Sequence, residues 1–193
     1  MVQPNRFSVR NVALAIWLFV LFGALYLYFF HREVIQSELG RAYSYSVVLG
    51  YLVYLLLGCA RGFTLIPATY LVLTGLLFFP PVPLLVLTLV GILVSSSIIY
   101  FFSEALRLDE FFERRYADRI ARAKLILERN QLSIVIGWSF FPLAPTDLIC
   151  YVCGALEIDF KKLLVGVLIG EGTLCALYIF LGGQVLRVLQ LAP

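Results

Sequence analysis

Arg61 stands in the middle of an apolar stretch from Val47 to Phe79, and the segment Arg61-Gly62 to Pro67 interrupts that stretch at its centre. An arginine at membrane depth costs at least ~2.5 kcal/mol to insert, so in a stable fold it faces a protein interior or a water-filled cavity. A second interruption, Pro142-Leu143-Ala144-Pro145-Thr146-Asp147, lies inside the apolar stretch from Leu132 to Leu156. Together the two breaks read as one polar site built inside a bilayer.

The composition agrees with that setting. The chain is 62% hydrophobic and 14% charged, where soluble domains carry about 25% charged residues. Its 193 residues contain no polar linker between two cores, so residues 1–193 are expected to form a single membrane domain. The net charge of +3 is small and its basic residues flank apolar segments, which argues against nucleic acid as a partner. Cys150 and Cys153 form a C-x-x-C pair, but they lie in an apolar segment where low dielectric disfavours a thiolate. The four cysteines are therefore read as packing residues, and no cofactor or metal is expected. Ser95, Ser96 and Ser97, with Gly91 and Gly166, are read as close helix packing. Trp17, Tyr26, Tyr28, Tyr43, Tyr45, Tyr51 and Tyr54 are read mostly as interfacial or lipid-facing anchors.

Val12 to Phe30 is a charge-free run long enough to cross the hydrocarbon core. Arg6 and Arg10 precede it and place the N-terminus in the cytoplasm. The run exceeds a signal-peptide core and has no small-residue cleavage site after it, so it is expected to stay in the mature protein. Leu84 to Phe102 is a second span, and it leads into the charged stretch from Glu104 to Gln131. That stretch carries Arg107, Arg114, Arg115, Arg119, Arg122, Lys124 and Arg129, with apolar residues between them at helical spacing. It is predicted to be a cytoplasmic amphipathic helix lying on an anionic lipid surface. Leu163 to Leu186 is the last span, approached through Lys161-Lys162 on the cytoplasmic side.

With those spans placed, Val47 to Phe79 must begin and end outside, and Leu132 to Leu156 must begin and end in the cytoplasm. Each is predicted to be a re-entrant hairpin, because arms rising about 1.5 Å per residue are too short to cross. The predicted fold is all-α and integral to the membrane. It comprises an N-terminal transmembrane helix and an inverted repeat of re-entrant hairpin plus transmembrane helix, with the amphipathic helix between the halves.

Arg61-Gly62-Phe63-Thr64-Leu65-Ile66-Pro67-Ala68, followed by Leu73-Thr74-Gly75-Leu76-Leu77-Phe78, resembles the first motif of the DedA superfamily, also called VTT-domain or SNARE-associated Golgi proteins. Phe141-Pro142-Leu143-Ala144-Pro145-Thr146-Asp147, then Tyr151 to Gly154 and Phe160, resembles its second motif. The resemblance covers residues 47–186 and favours the Tvp-like bacterial branch over DedA proper. It implies opposed re-entrant hairpins in a multi-pass protein of the bacterial inner membrane. It also implies movement of phospholipid or polyprenyl-phosphate lipid between leaflets. Two positions depart from the family pattern: Ser139, where an arginine is common, and Glu171, where a Pro- or Gly-rich bend is more usual. Glu33 and Glu38 are the candidates for the early acidic pair of DedA proper.

Moving a lipid requires a polar path for the headgroup while its tails stay in hydrocarbon. Arg61 can pair with a lipid phosphate in a bidentate fork, helped by the Gly62 amide and the Thr64 and Thr69 hydroxyls. Pro67, Pro142, Pro145 and Asp147 complete the expected substrate-binding set. Glu171, between Gly170 and Gly172 in mid-span, can carry a proton, and Asp147 shares that coupling role. The competing readings are that Arg61 merely neutralises Asp147 or Glu171, and that Asp147 only caps the half-helix after Pro145. A flippase- or scramblase-like lipid transporter, with optional proton linkage and the capacity to oligomerise, is thus expected rather than an enzyme. An intramembrane acid hydrolase would need Asp147 and Glu171 to share a proton, and a scaffold acting through its amphipathic helix leaves Arg61 unexplained.

The topology is testable by cysteine-accessibility labelling. Positions near Val47 and Phe79 should react from outside, and positions near Gln131 and Glu157 from the cytoplasm. Labelling the two ends of either hairpin from opposite sides would exclude the re-entrant arrangement.

Overall fold

Pro67 and Pro145 are the N-cap residues of two short helices, each with extended ψ and a ring that cannot continue the preceding helix. Each proline also disfavours helix at the residue before it, so the chain breaks where the sequence does. The computed structural model describes residues 6–30, 32–106, 108–142 and 144–188, with side chains described for most of 12–26, 33–106, 121–142 and 144–184. Among the described residues the chain is helical and has no strand. The helices are α1 (Arg6–Phe30), α2 (Arg32–Tyr45), α3 (Val47–Ala60), α4 (Ala68–Gly75), α5 (Pro81–Leu106), α6 (Leu108–Ser139), α7 (Thr146–Ala155) and α8 (Phe160–Val188). A 3-10 turn, Arg61–Phe63, follows α3.

The packing exchanges partners between the two halves. α3 lies on α5 and α6 lies on α8, so each helix before a break rests on the long helix of its own half. The helices after the breaks cross over, α7 onto α5 and α4 onto α8, while α5 and α8 also pack together. Both breaks consequently arrive at the α5–α8 seam.

Two described helices are long and apolar enough to cross a membrane, Pro81–Leu106 and Phe160–Gly182. The predicted first span, Val12 to Phe30, lies within the continuous helix α1, whose described residues contribute a shorter apolar stretch, Leu14–Gly23. Helix α5 has its large apolar residues outside: Val82, Val86, Val90, Val94, Ile98 and Phe101 form an exposed stripe. Its inner face mixes small and hydroxylated residues, Thr88, Gly91, Ser95, Ser96 and Ser103, with buried Leu84, Ile92, Ile99, Tyr100 and Leu106. A continuous apolar exterior of this kind is unsuited to water and matches hydrocarbon.

Small residues let the helices approach. At Gly154, near the end of α7, an added Cβ would collide with the Tyr100 carbonyl oxygen of α5. At Gly62 it would meet Ile99 Cγ1 at 2.5 Å and Ser95 Oγ at 2.6 Å, so the 3-10 turn is pressed against α5. Polar contacts then fix the seam: Ser103 Oγ donates to the Tyr151 carbonyl at 2.6 Å, and Tyr100 Oη donates to the Ile158 carbonyl at 2.8 Å. Asp159 caps α8 by accepting the Lys162 amide at 3.0 Å, and that bond chiefly holds its carboxyl below the usual carboxylate range.

Three sequence expectations change. The predicted amphipathic helix does not stop at Gln131: α6 runs from Leu108 to Ser139 and includes the first arm of the second hairpin. Residues 108–136 contain neither glycine nor proline and are rich in helix formers, so nothing halts the helix there. Glu104 belongs to α5, and the basic side chains from Arg107 to Arg119 lie outside the described residues. A second difference is α2, a helix over residues left unassigned from sequence; Glu33 is exposed on it, and Glu38 pairs with Arg41 at 3.0 Å on its surface. The third concerns the aromatics. Tyr54 is 2% exposed because it points at α4 and α5, its hydroxyl paired with Thr88, while Tyr43 and Tyr51 are half-buried where α2 folds back on α3; all three pack on Phe79. Tyr26 and Tyr45 are exposed as expected of anchors, while the Tyr28 side chain lies outside the described residues.

The close approach at Gly154 makes a paired prediction. Gly154→Ala should lower the thermal unfolding midpoint in detergent, overpacking costing about 1–3 kcal/mol against a helix-propensity gain of up to about 1 kcal/mol. Gly137→Ala in α6, where nothing lies within 4 Å of the new Cβ, should raise it.

Candidate charge centre at the helix breaks

Arg61 reaches the interior because α3 ends at Ala60 and tightens into the 3-10 turn, with the Arg61 amide still bonded to the Leu57 carbonyl. The Thr64 amide and the Thr64 hydroxyl both donate to the Arg61 carbonyl, at 2.8 and 2.7 Å. Leu65 follows with φ 53, a left-handed conformation that is uncommon for a residue with a side chain. It turns the chain so that Pro67 can start α4. The turn is held from the other half of the molecule: Trp17 Nε1 donates to Tyr151 Oη at 2.8 Å, and Tyr151 Oη donates to the Gly62 carbonyl at 3.3 Å.

The guanidinium lies between two carboxylates. Arg61 Nη2 is 2.6 Å from Glu171 Oε1 of α8, and Nη1 is 3.6 Å from Asp147 Oδ2 of α7. Ser95 Oγ of α5 donates to Asp147 Oδ1 at 3.3 Å. Arg61, Asp147 and Glu171 are 4%, 0% and 2% exposed. One positive and two negative formal charges are thus enclosed in the apolar interior. Arg61 Nη2 has no well-aligned hydrogen bond despite its short ion pair, and Asp147 Oδ2 and Glu171 Oε2 have no hydrogen-bond partner. Thr74, Ser96 and Ser139 also carry buried hydroxyls without a partner. Native structures leave few buried polar atoms unpaired, and three of those here belong to this one cluster.

Two clefts meet the cluster. Arg61 lines a narrow one, with Tyr54, Gly58, Leu71, Thr88 and Ile92. Glu171 lines the other, equally narrow, with Pro67, Thr69, Ser139, Pro142 and Thr146 among its walls. Ala68 stands in the wall of both.

Of the residues singled out from sequence, the fold brings Arg61, Asp147 and Glu171 into contact and sets Pro67, Thr69 and Pro142 around the Glu171 cleft. Gly62 is buried against α5, and Thr64 has its hydroxyl turned back on the turn itself. The Pro145 carbonyl accepts Trp138 Nε1 at 3.2 Å. Asp147 occupies the first turn of α7, but its carboxylate is directed to Ser95 and Arg61. Sequence reading passed over Ser95, Trp17 and Tyr151 as partners. The available signal for Ser95 was its register: it falls on the α5 face opposite the valine stripe. Among the described residues no group of three or more His, Cys, Asp or Glu is disposed to hold a metal, and the four cysteines are free.

A chain whose described residues are helical, with an apolar exterior, two described helices long enough to span and a buried charge cluster at two helix breaks, is a membrane protein. The VTT domain model matches residues 66–184, more than half of the chain, and the chain belongs to that family, within the DedA superfamily. The matched region contains Ser95, Ser139, Asp147, Tyr151 and Glu171, and it begins just after the turn that carries Arg61. No curated protein and no solved structure matches the chain.

The unequal charge count predicts an asymmetry in stability. Arg61→Gln strands two buried carboxylates and should cost about 3–5 kcal/mol, whereas Glu171→Gln leaves a balanced Arg61–Asp147 pair and should cost much less. Chemical unfolding of both variants in the same detergent checks this, and equal losses would contradict it.

Proposed function

We propose that this protein moves phosphate-bearing lipid between membrane leaflets, with Arg61 as the phosphate-binding group and Glu171 and Asp147 as its charge-balancing partners. The observation that carries the reading is the Arg61–Asp147–Glu171 cluster, buried where two broken helices reach the α5–α8 seam. An interior charge set of this kind is costly, and in membranes such groups mark substrate and proton paths. The cleft on the Arg61 side offers a guanidinium together with the Tyr54 and Thr88 hydroxyls, themselves paired at 2.8 Å. Guanidinium and phosphate match as a two-pronged fork.

The exchanged packing of α3, α4 and α5 with α6, α7 and α8 supports an inverted repeat, and the short α4 and α7 support re-entrant arms that stop at mid-membrane. In this reading the protein is multi-pass in a bacterial inner membrane with a cytoplasmic N-terminus, and the basic part of α6 rests on anionic lipid. Residues 1–193 form one membrane domain, free to oligomerise, and a proton on Glu171 or Asp147 accompanies each change of charge balance. Each carboxylate is paired with Arg61, which supports charge balancing over a hydrolytic dyad and transport over catalysis.

Leaflet-sensitive fluorescent lipid in liposomes with the purified protein tests this. Arg61→Lys should keep part of the activity, since the ammonium keeps the charge and loses the fork. The neutral set Arg61→Gln, Asp147→Asn and Glu171→Gln should stay folded, having no stranded charge, and lose lipid movement. Wild-type rates in that folded variant would refute the reading.

A further inference from the structure

The Glu171 cleft has the wrong charge for a phosphate. Among the described residues in its walls Glu171 is the one charged group, and Thr69, Ser139 and Thr146 supply hydroxyls beside it. Two of its oxygens have no partner: Glu171 Oε2 and Ser139 Oγ, on residues 2% and 1% exposed. Thr146, at the start of α7, donates a hydrogen bond to the Glu171 carboxyl. With both acids ionised, the cluster behind the cleft holds one positive and two negative formal charges, an imbalance that a proton or a bound cation would remove.

We propose that this cleft binds a small monocation, an alkali-metal ion or a primary ammonium group, on Glu171 Oε2 and Ser139 Oγ. Hard cations and ammonium groups both take carboxylate and hydroxyl oxygens. Unwound backbone between half-helices is a recurrent place for coupling ions, and the described residues between α6 and α7, 140–142 and 144–145, are unwound at this cleft. The bound cation competes with Arg61 for the same carboxylate, and the Arg61–Glu171 contact, close but poorly aligned, is the one it weakens. Occupancy of this cleft thereby frees the guanidinium toward the other cleft, and by linkage an anion there favours the cation here. The site goes beyond lipid movement, and a binding measurement reads it whether or not the protein transports.

The experiment uses the full chain in phosphatidylcholine nanodiscs, whose quaternary amines have no N–H to donate. Sodium, potassium, methylammonium and ethanolamine chlorides are each titrated at constant ionic strength against choline chloride, from pH 6 to pH 9, following the thermal unfolding midpoint. A bound cation stabilises the folded state saturably. A saturating rise with sodium or potassium identifies an alkali-ion site, and one confined to the two amines identifies an ammonium site. Ser139→Ala removes an unpartnered buried hydroxyl, so it should fold at least as well as wild type and bind the cation about tenfold more weakly. Glu171→Gln should lose the response. The proposal is overturned if no cation exceeds choline at any pH, or if the rise survives either substitution unchanged.

Discussion

One buried guanidinium organises this molecule. Arg61 could not remain in an apolar interior unless carboxylates came to it, and they come from separate helices, Asp147 at the start of α7 and Glu171 in the middle of α8. Bringing them together requires the first break to sit against the second half of the chain and the second break against the first. The crossing of α4 onto α8 and of α7 onto α5 accomplishes this. Charge pairing at the centre and exchanged packing around it are thus one constraint seen at two scales.

The close approach depends on what is missing from the helix faces. The inner face of α5 sets Thr88, Gly91, Ser95, Ser96 and Ser103 among its buried leucines and isoleucines, and α7 meets it through Gly154. Water supplies no hydrophobic drive between helices in hydrocarbon, so backbone proximity and hydrogen bonds such as Ser103 to the Tyr151 carbonyl provide the association. Tyr151 also holds the Gly62 carbonyl and receives Trp17 from α1. The turn bearing Arg61 is therefore fixed by three elements distant in sequence.

That rigidity contrasts with the loose electrostatics inside it. The cluster has more negative than positive charge, unpaired oxygens on both acids and an ion pair without good alignment. A purely structural ion network would be expected to satisfy its lone pairs, because desolvation is recovered only with good geometry. An arrangement poised between two clefts, one lined by the base and one by an acid, has its charges available for ligands of opposite sign.

Much of this was legible in the linear chain. Helical class, membrane character, the positions of both breaks and the three interior ionisable residues follow from hydropathy, from proline's restriction of its neighbours and from the cost of charge in hydrocarbon. The end of the amphipathic helix was misjudged at Gln131 because continuation of a helix through a change of polarity leaves no local mark; only a breaker would, and the next glycine is Gly137. The burial of Tyr54 and the pairing of Ser95 with Asp147 were likewise invisible, since both depend on which helix packs opposite. The sequence by itself determined where the chain must break and which side chains could not face lipid. Tertiary structure alone decided that both acids meet Arg61 and that Glu171 and Ser139 share a cleft, because those distances are set by how the two halves cross and no local propensity encodes them.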